Sequence, residues 1–358
     1  MDSKKIGNSQ AIAIIVTMTV SQLILNILYN IVSQSKTAAI INIVYIGIIV
    51  TIVSYIIVRL LSKFPTFDIL DISDYLYGKL FKTIIGFLFL AYFLFFTAML
   101  LYNFSCALQI IYFPSTKISY IILFLLLIAL LASVLKNNAI YKNGIVVLFF
   151  TIVSIILLFV FNINNIDVTN IFPILGNGFY STFFIGLGNI YAFQGILYLF
   201  FLPSKLNSPK ELNKIVFISC SISILCAIFA VGNIILSDKI IIDTYKLIPL
   251  YTVARKISFG NFFQRTESLF LIIWIASFEQ YLGITIKNCC NMCIKISNIK
   301  EKNIITAVLA FIMFLVTLIP RNYTDSLCFT NTIYKYSFFI LTVFSILIII
   351  CAISKKNK

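Results

Sequence analysis

Residues 180–200, YSTFFIGLGNIYAFQGILYLF, decide the fold class. They form an apolar run of roughly 20 residues, which at about 1.5 Å per residue crosses a hydrocarbon layer ~30 Å thick. Gly186, Gly188 and Gly195 interrupt this run. Glycine here permits either the close approach of another helix or a break whose freed N–H and C=O groups bind a solute near mid-membrane. Both outcomes describe a membrane-spanning helix, and the second is typical of transporters.

The rest of the chain has the same character. Of its 358 residues, 61% are hydrophobic and 11% are charged, and the mean hydropathy is +1.05. Soluble domains have roughly half apolar and a quarter charged residues. Apolar runs predict ten spans, at approximately 10–32, 38–58, 83–111, 118–135, 144–162, 179–202, 213–236, 266–287, 303–319 and 335–353. The sequence therefore predicts an all-α polytopic membrane protein with one transmembrane domain.

The net charge of +15 reflects membrane topology rather than nucleic-acid binding. The lysines lie in short connections between spans, and no zinc-finger or RNP pattern accompanies them. If both termini are cytoplasmic, most of the 27 Lys and Arg residues lie on the inner side, as the positive-inside rule requires. We therefore predict an integral membrane protein with both termini in the cytoplasm, the lipid bilayer as its surroundings and no nucleic-acid partner.

Two connections carry amphipathic patterns. Residues 66–82 predict an interfacial helix on the inner side. Its apolar side comprises Ile69, Ile72, Leu76 and Leu80. Residues 245–262, on the outer side, predict a short helix that covers the bundle. Its apolar side comprises Leu250, Val253, Ala254 and Ile257.

Span one is the counterpart of span six if the chain is an inverted repeat of five spans each, at about 10–162 and 179–353. Its residues 17–34, TMTVSQLILNILYNIVSQ, contain no glycine. Five polar side chains recur there at intervals of three or four residues and share one helix face, namely Thr19, Gln22, Asn26, Asn30 and Ser33. Such a stripe faces protein or water rather than lipid. It serves either as hydrogen-bonding contact between helices or as the wall of a solute site, and the pattern leaves both open.

These patterns define the candidate ligand-binding residues. Span three adds an amide, Asn103, although polar and aromatic residues are frequent throughout this chain. The candidates are Ser21, Gln22 and Asn26 in span one, Asn103 in span three, Gly186, Gly188 and Asn189 in span six, and Glu279 in span eight.

Glu279 lies in the apolar run LFLIIWIASFEQYLG, residues 269–283. It is the only acid predicted deep in the hydrocarbon layer, and no Lys, Arg or His is predicted at the same depth. A charge there costs on the order of 2.5 to 3.5 kcal/mol, so the neutral carboxyl is favoured. Three roles remain open: a structural hydrogen-bond donor, a contact to a ligand ammonium or cation, and a proton-coupling carboxyl. We expect it to face spans one and six.

Enzyme chemistry has no support in the sequence. There is no histidine, no HExxH motif, no clustered carboxylates and no nucleophile elbow. The cluster CCNMC at residues 289–293 has no histidine or second CxxC beside it, so we predict neither a metal site nor a cofactor.

Residues 249–275, PLYTVARKISFGNFFQRTESLFLIIWI, resemble the signature of the endospore germination permease family. A second similarity is IFPILGNG, residues 171–178. The matching positions are Pro173, Pro249, Leu250, Tyr251, Ala254, Arg255, Gly260, Phe263, Arg265, Glu267 and Trp274. Glu267, beside Arg265 at the outer end of span eight, is expected to be solvated or paired, with a structural role.

The resemblance implies a fold and a function. That family supplies the B subunits of GerA-type spore germinant receptors and resembles the amino acid–polyamine–organocation transporter superfamily. It therefore implies a leucine-transporter-like fold of two inverted five-helix repeats in the inner membrane of the endospore, a small nutrient such as an amino acid as ligand, and assembly with an A subunit and a lipoprotein C subunit. The superfamily's glycine pair in span one is absent, because Ser21 and Gln22 stand there. A proton-coupled amino-acid permease is the alternative function.

Overall fold

The computed structural model describes residues 5–23, 27–135, 137–237, 249–257, 266–297, 299 and 301–357. Long helices occupy nearly all of these ranges, and the described chain contains no strand beyond a single bridge between Ile6 and Leu206. The helices of the first half are Asn8–Gln22, Leu28–Ser35, Ala39–Leu61, Ile69–Tyr77, Lys79–Tyr112, Ile118–Val134 and Asn137–Phe161. Those of the second half are Tyr180–Ile185, Gly186–Phe201, Leu212–Ser237, Pro249–Lys256, Thr266–Ser297, Lys302–Thr317, Tyr323–Phe329, Thr330–Tyr334 and Lys335–Lys356. The all-α polytopic architecture is confirmed.

Span one comprises two described helices, Asn8–Gln22 and Leu28–Ser35. Lys36, with φ of 49°, separates the second of these from span two, Ala39–Leu61. In the described residues, seven helical stretches are long and apolar enough to cross a membrane, and Ile118–Val134 and Lys302–Thr317 are shorter apolar helices. Together with Asn8–Gln22, these elements account for the ten predicted spans.

Two boundaries differ from the sequence prediction. Span ten begins at Tyr323 rather than at residue 335, because Thr330–Tyr334 is a π-type turn that joins two α-helices into one continuous stretch. The inner connecting helix ends at Tyr77, because Gly78 adopts φ of 83° and starts the helix of span three. Leu80 therefore belongs to span three and is exposed, whereas Ile69, Ile72 and Leu76 are buried as predicted.

The outer amphipathic helix is described at Pro249–Lys256. The predicted apolar side is buried, since Leu250, Val253, Ala254 and Ile257 are each no more than 1% exposed. This helix packs on spans seven and eight, so it covers the predicted outer side of the bundle.

Ion pairs tie the inner connecting helix to the inner end of span eight. Lys295 Nζ lies 2.6 Å from Asp68 Oδ2 and 2.5 Å from Asp71 Oδ2. Asp68 also caps the helix by accepting from the backbone N–H groups of Leu70 and Asp71. Desolvation and then the charge of Asp68 raise the pKa of Asp71. One lysine thus neutralises two crowded carboxylates at this end of the bundle.

Replacing Lys295 with methionine is expected to destabilise the chain by about 1–2 kcal/mol, since two adjacent carboxylates lose their cation at a partly exposed site. The loss should shrink from pH 8 to pH 5, because the pKa of Asp71 is already raised and a protonated Asp71 no longer repels Asp68. Thermal unfolding of the purified chain across this pH range measures the loss of stability. Lys82→Met, which breaks a single 3.3 Å pair with one carboxylate, that of Asp74, is the control and should have a smaller effect. Equal and pH-independent shifts for the two variants would contradict the expectation.

Candidate functional site

Span six is irregular at the glycines that interrupt its sequence. A π-type turn, Tyr180–Ile185, leads into a segment with 3-10 hydrogen bonding, Gly186–Phe201. Within this segment Phe193 leaves helical geometry, with φ of −100° and ψ of 31°. Such segments leave backbone groups without their usual helical partners. Span six is therefore discontinuous, and the adjoining side chains bind its exposed carbonyls.

The polar stripe of span one faces this discontinuous helix. Gln22 Nε2 donates to the carbonyl of Ala192, at 2.8 Å, directly before the kink at Phe193. Nearer the predicted outer end of the two spans, Asn30 Nδ2 lies 3.3 Å from the hydroxyl of Tyr191. The predicted candidate Asn26 lies outside the described residues. The described stripe residues thus connect span one to span six along much of its length.

Spans one and six pack closely at Gly195. A Cβ on Gly195 would lie 2.5 Å from the carbonyl oxygen of Ile15 and would overlap the hydroxyl of Thr19. The glycine is required here because both obstacles belong to span one and one of them is backbone. Close packing at Gly195 and a break at Phe193 therefore both occur in span six.

A directional chain of hydrogen bonds crosses the centre of the bundle. The hydroxyl of Tyr92 donates to Gln194 Oε1 at 3.1 Å, and Gln194 Nε2 donates to the hydroxyl of Tyr281 at 3.2 Å. The Tyr281 hydroxyl lies 3.3 Å from Thr97 Oγ1. Because the amide of Gln194 has a fixed donor and a fixed acceptor, it orients the hydroxyls on both sides. Spans three, six and eight meet through this one glutamine.

Two further polar contacts involve span eight. Ser21 Oγ lies 2.7 Å from Ser277 Oγ, between spans one and eight, and Tyr198 OH lies 3.2 Å from Thr285 Oγ1, between spans six and eight. All of these side chains are buried. We call the set the central polar cluster: Ser21, Gln22, Tyr92, Thr97, Gln194, Tyr198, Ser277, Tyr281 and Thr285.

The central polar cluster is chemically suited to bind a small polar molecule. It consists of hydroxyls and amides, which supply neutral donors and acceptors. Gln22 Oε1 is buried and has no hydrogen-bond partner among the described residues. A buried acceptor without a donor costs about 1–3 kcal/mol, so a ligand that donates to Gln22 would recover this energy.

Three predicted ligand residues of span six lie outside the central polar cluster. Asn42 of span two packs against Gly186, donates to the carbonyl of Thr182 at 2.8 Å and accepts from Asn189 Nδ2 at 3.1 Å. Gly188 lies against the side chain of Lys335. Gly186, Gly188 and Asn189 thus contact spans two and ten at the outer half of span six.

Asn103 is buried in span three, and neither of its amide atoms has a partner among the described residues. It lies eleven positions beyond Tyr92, roughly 16 Å along the helix. Its amide remains a predicted ligand contact that is separated from the central polar cluster.

Glu279 does not face spans one and six, so that expectation is wrong. Ser277 and Tyr281 face those spans, and at about 100° per residue Glu279 points to the opposite side of the helix. Gly283, four residues on, packs against Ala132 of span four and Ile140 of span five. Glu279 is 9% exposed, and neither carboxyl oxygen has a partner among the described residues.

The described signature positions lie toward the predicted outer side of the bundle. Pro249 starts the outer amphipathic helix, Tyr251 is half-buried and Arg255 is exposed. Trp274 is buried in span eight, and Pro173 follows a cis peptide bond in the loop before span six. Gly260 and Arg265 lie outside the described residues. Glu267, which was expected to be either solvated or paired, is 4% exposed and therefore buried rather than solvated.

Sequence reasoning missed most of the central polar cluster. The signal is polar residues four positions apart in spans six and eight, which places them on one helix face. These pairs are Gln194 with Tyr198, Ser277 with Tyr281, and Tyr281 with Thr285.

Comparisons with known proteins agree with this geometry. Among solved structures, the inward-facing conformation of Mhp1, a protein with the leucine-transporter fold, matches with a TM-score of 0.63 at 9% sequence identity. The match covers 94% of this chain and 74% of that one, so the leucine-transporter-like fold is confirmed. The comparison with curated protein sequences gives no significant match. A family model described as "Spore germination protein" matches residues 5–326. The chain therefore belongs to the spore germination permease family, as its sequence signature predicted.

Proposed function

We propose that this chain is the membrane subunit of a spore germinant receptor, and that it binds a small nutrient, an amino acid, within the bilayer. The observation that carries the proposal is the central polar cluster. Four spans contribute hydroxyls and amides to one buried site beside a discontinuous helix, in a chain that belongs to a germination family. Solute sites of transporter folds occupy such positions.

Ligand binding at this site would act on several spans together. Gln194 connects spans three and eight, and the kink at Phe193 lies next to it. A ligand that replaces these hydrogen bonds changes the relative free energies of two arrangements of span six. We propose that this change passes to a membrane A subunit and a lipoprotein C subunit in the inner membrane of the endospore, with both termini of this chain in the cytoplasm.

Replacing Gln194 with leucine tests the site. The variant removes the acceptor of Tyr92 and the donor to Tyr281, so binding of an amino acid by the purified chain in lipid nanodiscs should weaken at least about tenfold, or roughly 1.4 kcal/mol. The twenty standard amino acids are tested individually with the unmodified chain first. Gln109→Leu is the control, because Gln109 makes one comparable bond, to the carbonyl of Thr116 at the outer end of span three. Unchanged affinity in Gln194→Leu, or no binding by the unmodified chain, would reject the proposal.

Glu279 favours a second candidate, a proton-coupled amino-acid permease. A buried carboxyl without a partner among the described residues is suited to accept and release a proton. Net uptake of labelled amino acid into vesicles that contain this chain alone, driven by a pH gradient, would favour the permease. Binding without uptake would favour the receptor subunit.

A further inference from the structure

Lys335 lies directly on the backbone of span six. The atoms that a Cβ on Gly188 would overlap are Nζ and Cε of Lys335. Lys335 is half-buried and lies twelve residues inside the continuous helical stretch that begins at Tyr323. The sequence did not single it out, because residue 335 was predicted to be the outer end of the span.

Local helix geometry brings Lys335 to the same side as three hydrogen-bonded polar groups. In a 3-10 segment, residues three apart are eclipsed, so Gly188 and Tyr191 lie along one edge of span six. The wider π-type turn Thr330–Tyr334 similarly aligns Asn331 with Lys335. Asn30 Nδ2 lies 2.6 Å from Asn331 Oδ1 and 3.3 Å from the Tyr191 hydroxyl. We call Asn30, Tyr191, Asn331 and Lys335 the Lys335 group.

The surrounding spans offer Lys335 no counter-charge. Residues 8–61, 180–201 and 326–358 contain no Asp or Glu. Among the residues that the structure describes, the ion pairs involve Lys82 and Lys295, not Lys335. A partly buried ammonium without a carboxylate is costly, and a bound anion would remove that cost.

The Lys335 group adjoins the central polar cluster. Tyr191 directly precedes Ala192, whose carbonyl binds Gln22, and Gln22 Oε1 is a buried acceptor with no donor among the described residues. The ammonium of Lys335 can pair with a carboxylate, and Gln22 Oε1 can accept from an ammonium. Together they match the two charged ends of a zwitterion. Ser21 and Gln22 lie within the helix Asn8–Gln22, whose backbone groups bond to one another, so contacts from this part of span one come from side chains.

We propose that Lys335 binds the carboxylate of the ligand, with Asn30, Asn331 and Tyr191 as neighbouring donors. The inference rests on the proposed function and deepens it by assigning the cation that would hold the carboxylate of the ligand. The carboxylate contact then comes from span ten rather than from the backbone of span one.

The test compares each bound amino acid with its C-terminal amide, using the full chain in lipid nanodiscs. For the unmodified chain, the acid should bind at least about tenfold more tightly than the amide, since a charge-assisted hydrogen bond is lost in the amide. In Lys335→Gln this ratio should fall to about one, mainly through weaker binding of the acid. Lys335→Arg should keep the preference, and Lys117→Gln, which removes an exposed cation on the same side, should leave the ratio unchanged.

A steric variant gives a second, independent arm. In Gly188→Ala the new methyl group takes the place of the lysine ammonium. The flexible end of Lys335 can move without moving backbone, so the chain should fold. Gly188→Ala should reduce the preference for the acid, and the double variant with Lys335→Gln should lose no more than Lys335→Gln alone.

The outcomes separate the inference from the proposed function. If Lys335→Gln binds amino acids with the unmodified acid-to-amide ratio, the Lys335 assignment is wrong while the proposed function stands. Additive losses in the double variant would also overturn the assignment. If the unmodified chain binds no amino acid, the proposed function fails and the inference fails with it.

Discussion

Replacing Gly195 with alanine is expected to prevent spans one and six from packing together. The added Cβ would lie 2.5 Å from the carbonyl oxygen of Ile15 and would also overlap the Thr19 hydroxyl, which donates to that carbonyl at 3.0 Å. Overpacking a buried site costs about 1–3 kcal/mol, and the upper end applies because the obstacle is backbone and cannot rotate away. The yield of monodisperse chain after detergent extraction and its thermal midpoint should both fall sharply.

Gly232→Ala is the matched control for this substitution. It also adds one methyl group to a buried glycine in a span, but the nearest atom, Cε2 of Phe159, is 3.9 Å away, which is ordinary contact. Its thermal midpoint should match that of the unmodified chain. If Gly195→Ala is as stable as Gly232→Ala, spans one and six do not approach at Gly195 as described.

Replacing Glu279 with glutamine is expected to abolish the response to the nutrient while the chain remains folded. Neither carboxyl oxygen has a partner among the described residues, and the side chain is nearly inaccessible. As a structural hydrogen-bond donor, Glu279 would need an acceptor within reach. As a ligand contact, it would need to face spans one and six. Proton coupling is the role that its position favours. Spores that carry the variant should show no germination across the nutrient dose range, with normal amounts of the subunit in the membrane.

Stability distinguishes this role from a structural one. Glu279→Leu removes an unsatisfied buried polar group and should raise stability by about 1–3 kcal/mol, although the response is lost. Residues retained at a cost in stability are typical of functional sites. Glu301→Gln removes an exposed carboxylate from the inner side and is the control for charge. A normal dose–response in Glu279→Gln, together with lower stability, would show that the carboxyl is structural.

Local patterns in the sequence predicted much of the fold. The polar stripe of span one was identified because its residues repeat every three or four positions, and its members Gln22 and Asn30 contact span six. The glycines of span six indicated either close packing or a break, and the structure has both. Hydropathy predicted the bundle, since a helix must satisfy its own backbone in lipid.

The rotation of each helix about its axis could not be predicted in the same way. Depth and isolation singled out Glu279, but depth does not give the direction of a side chain. Gln194 and Tyr281 looked like ordinary polar residues in apolar spans, and only the packing of spans three, six and eight brings them within 3.2 Å. Lys335 looked like a helix end, because the preceding turn at Thr330–Tyr334 is not apolar enough to extend the predicted span.

The sequence by itself thus determined the membrane class, the family and the two helices that meet at the candidate site, because hydrophobic periodicity, glycines and signature residues are local properties. The tertiary structure alone decided which polar side chains share the site, that Glu279 points away from it and that Lys335 lies on Gly188. The physical reason is that these relations depend on helix rotation and on local 3-10 and π-type geometry. Both are set by contacts between residues 87 to 256 positions apart.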